Sequence, residues 1–318
     1  MNSSYIAFWN VENLFDIDNS PRRSEKLQRA IGGELSGWTQ EILDRKIYQL
    51  AKVITSMNDG QGPDILGVCE VENAYVLQLL ADAISQNGAD YQIIHQDGKD
   101  NRGIDVAFLV RQGLFEIGPI FSHEILKRSA TRDLLQVNLS KNDKTLVLIG
   151  NHWPSRMGGL YLSEPYRIIA GETLAYFHER IQDILGKNVA VLAMGDFNDE
   201  PFNRSLTDYA LAGRSITKVL KARSPKFFNM MWDILGSGDA THFYDNAPNL
   251  LDQFLVNRGL LSGKSGMRAI PGSAEIYKLP DMISGGAYPS PIRFGRGNKI
   301  NLNGYSDHLP ICMKIDIL

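Results

Sequence analysis

The chain has 318 residues, of which 43% are hydrophobic and 22% are charged, and its formal net charge is −3. This composition is typical of a globular protein and excludes a disordered or collagen-like chain. The near balance of charges argues against binding of nucleic acid by bulk positive charge, although a local basic surface stays compatible with it. We expect one large α/β domain that spans residues 1–318.

The apolar stretches are too short to cross a membrane, because a span needs roughly 18 apolar residues and the longest stretch lies around Val189–Met194. The N-terminal segment shows no basic region followed by a long apolar one, so no signal peptide is visible. Cys69 and Cys312 lie in apolar runs and predict buried free thiols, not a disulfide or a zinc site. We expect a cytoplasmic protein, or a secreted one if a signal peptide has been removed.

Short runs rich in Val, Ile and Leu recur along the chain and predict strands. Between them, apolar residues at steps of three and four predict helices over residues 43–57, after the N-cap Asn73, and before Gly186. No repeat or linker divides the chain. The predicted strands are Tyr5–Trp9, Ile65–Cys69, Ile104–Val110, Leu134–Leu139, Thr145–Gly150, Val189–Met194, Phe254–Val256 and Ile311–Ile317.

The region at about 258–306, called the arm below, is rich in glycine and proline and has no helical stripe. It carries more cations than acids, with aromatic residues between them. Two interpretations stay open: a long solvated loop, or a substrate-facing arm that binds phosphates and flat groups. The cations are Lys264, Arg268, Lys278, Arg293, Arg296 and Lys299, and the aromatic residues are Tyr277, Tyr288, Phe294 and Tyr305.

Polar side chains stand at the ends of several predicted strands. A lone acidic or amide residue there is more often a turn former than a catalytic group. Six such positions, without a Ser or Cys nucleophile motif, indicate a polar site that a rigid scaffold holds at one rim. The positions are Asn10 with Glu12, Glu70, Asn151 with His152, Asp196 with Asn198, Asp252, and Asp307 with His308.

This inventory is typical of metal-assisted hydrolysis. Carboxylate and amide oxygens suit Mg²⁺ or Mn²⁺, whereas zinc prefers more histidine or cysteine. Two of the histidines, His152 and His308, could serve as donors to a developing phosphorane charge. We treat the other four, His95, His123, His178 and His242, as surface or loop residues. The glycine-rich loops of nucleotide-binding enzymes are absent from the sequence.

The order of these motifs resembles the endonuclease/exonuclease/phosphatase superfamily, which includes deoxyribonuclease I. The resemblance spans nearly the whole chain and implies a four-layer α/β sandwich, in which helices flank two packed mixed β-sheets and the site lies at one edge. The motifs that carry it are Trp9-Asn10, Glu70, Arg102 to Ala107, Asn151-His152, Gly195 to Asn198, Asp252 and Ser306 to His308.

The resemblance also implies roles for individual residues. Glu70 corresponds to the main metal ligand, and Asn10 and Asp307 to residues that hold the metal or its waters. The sequence departs from the family pattern at two places, since Cys69 precedes Glu70 where Gln is usual and Gln253 follows Asp252 where an aromatic residue is common.

The catalytic set implied by the resemblance has five members. Asp196, with Asn198 beside it, corresponds to the residue that orients and deprotonates the attacking water. His308 corresponds to the imidazole that contacts the scissile phosphate, and Asp252 to the carboxylate that fixes it. His152 corresponds to a second histidine near the phosphate or leaving group.

The segment from Asn151 to Gly159, followed by Tyr166-Arg167, resembles bacterial nucleases of this superfamily. Candidate substrate-binding residues are Asn151, Arg156 and Arg167 from this segment and Arg102 from the motif Arg102 to Ala107. Arg156 and Arg167 could equally be exposed loop residues.

Taken together, these patterns predict a phosphodiester hydrolase that uses Mg²⁺ or Mn²⁺, with a nuclease acting on DNA or RNA as the first hypothesis. A phosphatase or phosphodiesterase for a small-molecule or lipid phosphoester is the second, and a catalytically silent binding module the third. We expect a monomer without an obligate protein partner.

Overall fold

The structure is a computed structural model that describes residues 2–85, 88–100, 102–286 and 289–318, so Tyr288 lies outside the described residues. Two mixed β-sheets form its centre. The first contains β1 (Asn2–Leu14), β2 (Ile65–Val71), β3 (Tyr91–His95), β4 (Asp105–Arg111), β14 (Met267–Ala269), β15 (Glu275–Ile276) and β16 (Ile311–Ile317). The second contains β5 (Glu116–His123), β6 (Leu134–Lys141), β7 (Lys144–His152), β8 (Ala190–Asp196), β9 (Ala212–Gly213), β10 (Phe227–Asn229) and β13 (Asp252–Asn257).

The strand order makes each sheet mixed. In the first sheet it is β14-β16-β1-β2-β4-β3, with β15 also paired to β16, and in the second it is β5-β6-β7-β8-β13-β10-β9. The pairs β1–β2 and β7–β8 are parallel, while β1–β16 and β8–β13 are antiparallel. A separate hairpin joins β11 (His242–Tyr244) to β12 (Ala247–Asn249).

The helices of the described chain are α1 (Glu25–Ile31), α2 (Gln40–Gly60), α3 (Ala74–Ser85), α4 (Leu160–Leu185), α5 (Ile216–Lys221) and α6 (Arg258–Ser262). Of these, α2, α3 and α4 cover the outer faces of the sheets. Residues of α2 and α3 pack against the first sheet, and residues of α4 pack against the second. The predicted four-layer α/β sandwich is therefore confirmed.

The predicted apolar stripes explain which helix faces are buried. Leu43, Leu50 and Ile54 of α2 are fully buried against the outer face of the first sheet. Asn73 caps α3 as predicted, because its Oδ1 accepts from the backbone N–H of Val76 at 3.1 Å.

A second apolar layer lies between the sheets. Phe8 and Phe108 from the first sheet pack against Leu148, Met194 and Phe254 from the second, and all five are fully buried. The strand β8 is buried along its whole length, since the other sheet covers one face and α4 the other. Its last residue, Asp196, is therefore delivered to the rim on a rigid element.

The arm is packed onto the body of the protein rather than extended into solvent. It supplies α6, β14 and β15, and the aromatic rings of Phe294 and Tyr305 are buried. The predicted aromatic surface for flat groups is therefore wrong for these two residues. Four of its cations pair with acids: Arg268 with Asp316, Lys278 with Asp239, Arg293 with Glu12 and Asp307, and Arg296 with Glu34.

Three smaller expectations can be compared with the structure. Cys69 and Cys312 are buried free thiols, as predicted. In the described ranges, no helix combines the length and hydropathy that a membrane-spanning helix needs. The prediction of a surface position is wrong for His178, which lies on the buried face of α4 with its ring centroid 4.0 Å from that of Phe227.

His178 leads to a prediction about stability. Burial lowers its pKa to about 3, so the folded protein keeps the ring neutral where the unfolded chain becomes protonated, below about pH 6.5. The free energy of unfolding should therefore fall as the pH drops from 6.5 towards 3. We expect His178→Phe to flatten this dependence by up to about 1.4 kcal/mol per pH unit, as measured by urea unfolding from pH 7 to 4. The nearby exposed variant Tyr176→Phe should leave the slope unchanged, and an unchanged slope in His178→Phe would contradict the assignment.

Candidate active site

Three neighbouring strands of the second sheet reach the same edge, where β7 and β8 end and β13 begins. In the register of β7, β8 and β13, His152 and Asp252 both pair with Asp196. The strands approach closely here, because a Cβ on Gly195 would lie 2.1 Å from the carbonyl oxygen of Asn151. This contact explains the glycine before Asp196.

The first sheet contributes through two irregular strands. Contrary to the prediction, Asn10 and Glu12 lie within β1 and do not follow it, whereas Glu70 lies near the end of β2. The β1–β2 register shifts between Asn10 and Leu14, and Glu12 and Glu70 have positive φ angles of 50° and 66°. Such bulges redirect side chains towards a site, at a cost in local backbone strain.

Side chains from both sheets surround one carboxylate oxygen, Oδ2 of Asp196. Asp196 Oδ2 accepts from Asn10 Nδ2 at 3.1 Å, and it lies 3.8 Å from Nε2 of both His152 and His308. The neighbouring acid, Glu70, has its Oε1 3.7 Å from His152 Nε2 and 3.5 Å from Asn10 Nδ2. Five of the predicted site residues therefore share one cluster.

The two histidines of the cluster hold different charges. Burial alone would lower the pKa of His308, but Asp252, whose Oδ2 is 2.7 Å from His308 Nδ1, and Asp196 outweigh it and hold the pKa well above its usual range. Burial, with help from Arg132 and His308, lowers the pKa of His152 well below its usual range. His308 is thus an imidazolium near neutral pH, whereas His152 is a neutral ring.

Asp196 is buried and tightly held. Its Oδ1 accepts from the backbone N–H of Asn198 at 2.9 Å, and Asn198 Nδ2 donates to the carbonyl oxygen of Trp153 at 3.0 Å. Burial raises the pKa of Asp196 to about 7, and Asp252 adds to the effect while His308 opposes it. A carboxylate with such a pKa can accept a proton at neutral pH.

Asp307 reaches the site beside a buried acid that sequence reasoning did not assign a role. Arg293 pairs with Asp307 at 3.2 Å and with Glu12 at 2.7 Å, and Glu12 also accepts from the backbone N–H of Phe294 at 2.9 Å. Burial opposes the ionisation of Asp307, yet His308 and Arg293 outweigh it and lower its pKa. Glu12 therefore ties the arm to β1 at the edge of the site.

Two further residues near the site were missed. His242 lies against His308 with the ring centroids 4.7 Å apart, so its assignment as a surface residue is wrong. Lys46 of α2 is fully buried, and its Nζ donates to the carbonyl oxygen of Tyr305 at 2.7 Å. Burial lowers the pKa of Lys46 to about 8 and that of His242 to about 4. No local motif marks either residue, because only tertiary packing brings them to the site.

The four predicted substrate contacts differ in placement. Arg102 is partly exposed and donates to Asn13, whose backbone N–H in turn donates to Glu70. Arg156 is also partly exposed, and its Nε donates to the carbonyl oxygen of Asn198 at 2.8 Å. Both lie beside the cluster.

The other two are enclosed in the protein, which corrects their prediction as substrate contacts. Arg167 is fully buried and pairs with Asp199 at 2.8 Å. Asn151 is fully buried as well, and its Oδ1 accepts from Trp153 Nε1 at 2.9 Å. Both side chains are held by protein groups, so we infer that they support the rim from beneath.

The sheets and their shared polar rim define a deoxyribonuclease I-like α/β sandwich. The chain belongs to the endonuclease/exonuclease/phosphatase family, whose model matches residues 5–317. A comparison with curated protein sequences gave no match.

Solved structures resemble this fold at low sequence identity. A family protein from Bacteroides thetaiotaomicron is 12% identical with a TM-score of 0.57, covering 99% of this chain and 97% of that one. A mannosyl-6-phosphatase from the same organism is 13% identical with a TM-score of 0.58, covering 98% and 99%. D. rerio TDP2, in complex with a single-strand DNA product, is 14% identical with a TM-score of 0.59, covering 99% and 100%. At these identities the likeness supports the shared fold.

Proposed function

We propose that the protein is a metal-dependent phosphodiester hydrolase in which Asp196 activates a water molecule. The observation that carries this proposal is the convergence of Asn10, His152 and His308 on Asp196 Oδ2, with Glu70 beside them. Phosphoester hydrolysis requires a base, a donor to the developing negative charge and a site for a cation. Asp196 would be the base, the His308 imidazolium the donor, and Glu70 part of the cation site.

The donor set at Glu70 fits a hard divalent cation such as Mg²⁺ or Mn²⁺. Glu70 would hold the metal together with Asp307, while Asn10 would orient the acids between which it lies. The ligand atoms of Asp196, Asp252 and His308 also lie within 4.8 Å of one another. We favour a metal site at Glu70 over one at this group. His308 Nδ1 is already hydrogen-bonded to Asp252, and a protonated imidazole does not bind metals.

Each residue then has a defined task. A bound metal would neutralise phosphate charge and lower the pKa of water. Asp196 would accept the proton of the attacking water, and Asn198 fixes this carboxylate through its backbone N–H. His308 would donate through Nε2 to the phosphoryl oxygen, since Asp252 holds its Nδ1. Arg102 and Arg156 remain the candidate phosphate contacts.

A nucleic acid is the first candidate substrate, and the DNA-bound TDP2 structure with the same fold supports it. A small phosphoester is the second, and the mannosyl-6-phosphatase of the same fold supports it. The ion pairs of the arm also favour the second candidate, because Arg293 and Arg296 have acidic partners and offer less free charge to a long polyanion.

Assays with three substrates test the proposal. Plasmid DNA, a single-stranded RNA and bis-(p-nitrophenyl) phosphate would each be incubated with the protein in Mg²⁺ or Mn²⁺. Cleavage of a polynucleotide supports a nuclease, and cleavage of the chromogenic diester alone supports the small-ester alternative. No turnover of any substrate would contradict the proposed hydrolase.

Glu70→Gln should raise the Mg²⁺ concentration needed for half-maximal activity by about tenfold or more, because removing a carboxylate charge weakens binding of a hard cation. The thermal midpoint should change little, since Glu70 is a partly exposed rim residue. Metal titrations of activity and of Mn²⁺ binding, with thermal unfolding, would measure both effects.

Glu72→Gln is the matched control. Glu72 forms a buried ion pair with Arg23 at 2.7 Å, so breaking it should cost about 3–5 kcal/mol of stability and leave metal affinity unchanged. Full activity of Glu70→Gln at limiting metal would show that Glu70 is not a ligand.

A further inference from the structure

A cavity of about 620 Å³ lies beside the candidate active site. The loop between β7 and α4 forms one wall, and the hairpin of β11 and β12 forms the other. Its turn, Asp245-Asn246, has positive φ at both residues, as two-residue hairpin loops of type I′ require. The volume is within the range of small-molecule sites.

The cavity is continuous with the catalytic cluster. Asn198, which fixes Asp196 through its backbone N–H, and His242, which lies against His308, both line it. A group attached to a phosphate at His308 would therefore lie next to the cavity.

The surface of the cavity is mainly apolar, and Tyr244 contributes an aromatic ring. Met157, Leu160 and Leu251 line it together with Tyr244. Arg156 is the only lysine or arginine in the described lining, and its guanidinium is held by Asn249 Oδ1 at 2.8 Å and by the carbonyl oxygen of Asn198. Apolar walls with a tyrosine ring suit a planar aromatic group more than a second phosphate.

Large apolar side chains at the mouth are exposed to water. Met157 is 85% exposed and Tyr244 is 69% exposed, so apolar area is left uncovered at the mouth of the cavity. Exposed apolar patches next to a pocket are typical of ligand-binding grooves. A flat substrate group that covered these side chains would bury part of their apolar area, which would stabilise the complex.

We propose that this cavity binds a planar aromatic group carried by the phosphate of the substrate, with Tyr244 and Met157 as its specificity-determining residues. The inference rests on the proposed function, because it takes the phosphate position from the Asp196 cluster. Two sources share this chemistry: an aryl group bonded directly to the phosphate, and a nucleobase separated from it by a sugar.

Binding measurements on the Asp196→Asn protein in Mg²⁺ test the proposal without turnover. Calorimetry would give dissociation constants for methyl phosphate, 1-naphthyl phosphate and thymidine 5′-monophosphate. We expect at least one aromatic ligand to bind about tenfold more tightly than methyl phosphate, because its ring can stack in the cavity and a tenfold gain corresponds to about 1.4 kcal/mol. Tighter binding of 1-naphthyl phosphate would indicate an aryl ester, and tighter binding of thymidine 5′-monophosphate would indicate a nucleotide.

Substitutions localise the effect. Tyr244→Ser and Met157→Ser should each remove most of the aromatic preference and leave methyl phosphate binding unchanged. Tyr161→Ser is the matched control, because Tyr161 is 83% exposed and does not line the cavity. Aromatic ligands that bind no better than methyl phosphate, or a preference that survives both substitutions, would overturn the inference alone. Failure of methyl phosphate itself to bind would overturn the proposed phosphate site as well.

Discussion

His308→Ala should lower kcat for a phosphodiester by about 10²- to 10⁴-fold, because it removes a charged donor that acts mainly in the transition state. KM should change much less. The ring is held by Asp252 at 2.7 Å and points its other nitrogen at the Asp196 cluster. Steady-state kinetics with bis-(p-nitrophenyl) phosphate would measure the loss.

Asp252→Asn should lose less activity than His308→Ala, since the ring survives but is less well oriented and less readily protonated. The double variant should be little worse than His308→Ala alone, because residues that act as a unit are not additive. Losses that multiply in the double variant would show that the two residues act independently.

Asp196→Asn should also lower kcat by about 10²- to 10⁴-fold, the range expected when a general base is removed. The amide keeps the size of the carboxylate and can still accept from Asn198, so the fold should be retained. The same assay, with thermal unfolding alongside, measures both quantities.

Asp199→Asn is the matched control for Asp196→Asn. Asp199 is buried as well, but it pairs with Arg167 and accepts from Ser205 at 2.6 Å. Its substitution should lower the thermal midpoint and reduce kcat far less. A smaller kcat loss in Asp196→Asn than in Asp199→Asn would contradict the assignment of the base.

The main strands and helices were predictable because local patterns determine them, whereas the four-layer arrangement was implied by the resemblance to the family. The period of Leu43, Leu50 and Ile54 predicts one buried helix face, and the apolar run before Asp196 predicts a strand buried on both faces. The ends of β1 were not predictable, since the strand continues through a bulge at Glu12 that only pairing with β2 produces.

The candidate site was predictable where a motif carries it and not elsewhere. Asp196 and His308 stand in short motifs, whereas His242 and Lys46 reach the site through tertiary packing alone. Arg167 shows the opposite case, because a motif-like position beside Tyr166 became a buried ion pair with Asp199. Sequence spacing does not reveal that Arg167 on α4 is buried while Arg156, in the loop before this helix, stays partly exposed.

The most direct test of the proposed hydrolase is metal add-back. Protein treated with EDTA and then dialysed would be assayed on bis-(p-nitrophenyl) phosphate without metal, with Mg²⁺ and with Mn²⁺, beside the Asp196→Asn variant. We predict no turnover without metal, turnover that rises and saturates with added Mg²⁺ or Mn²⁺, and almost none in the variant. Metal-independent turnover, or equal turnover by the Asp196→Asn variant, would contradict the proposal that a metal and Asp196 together activate water.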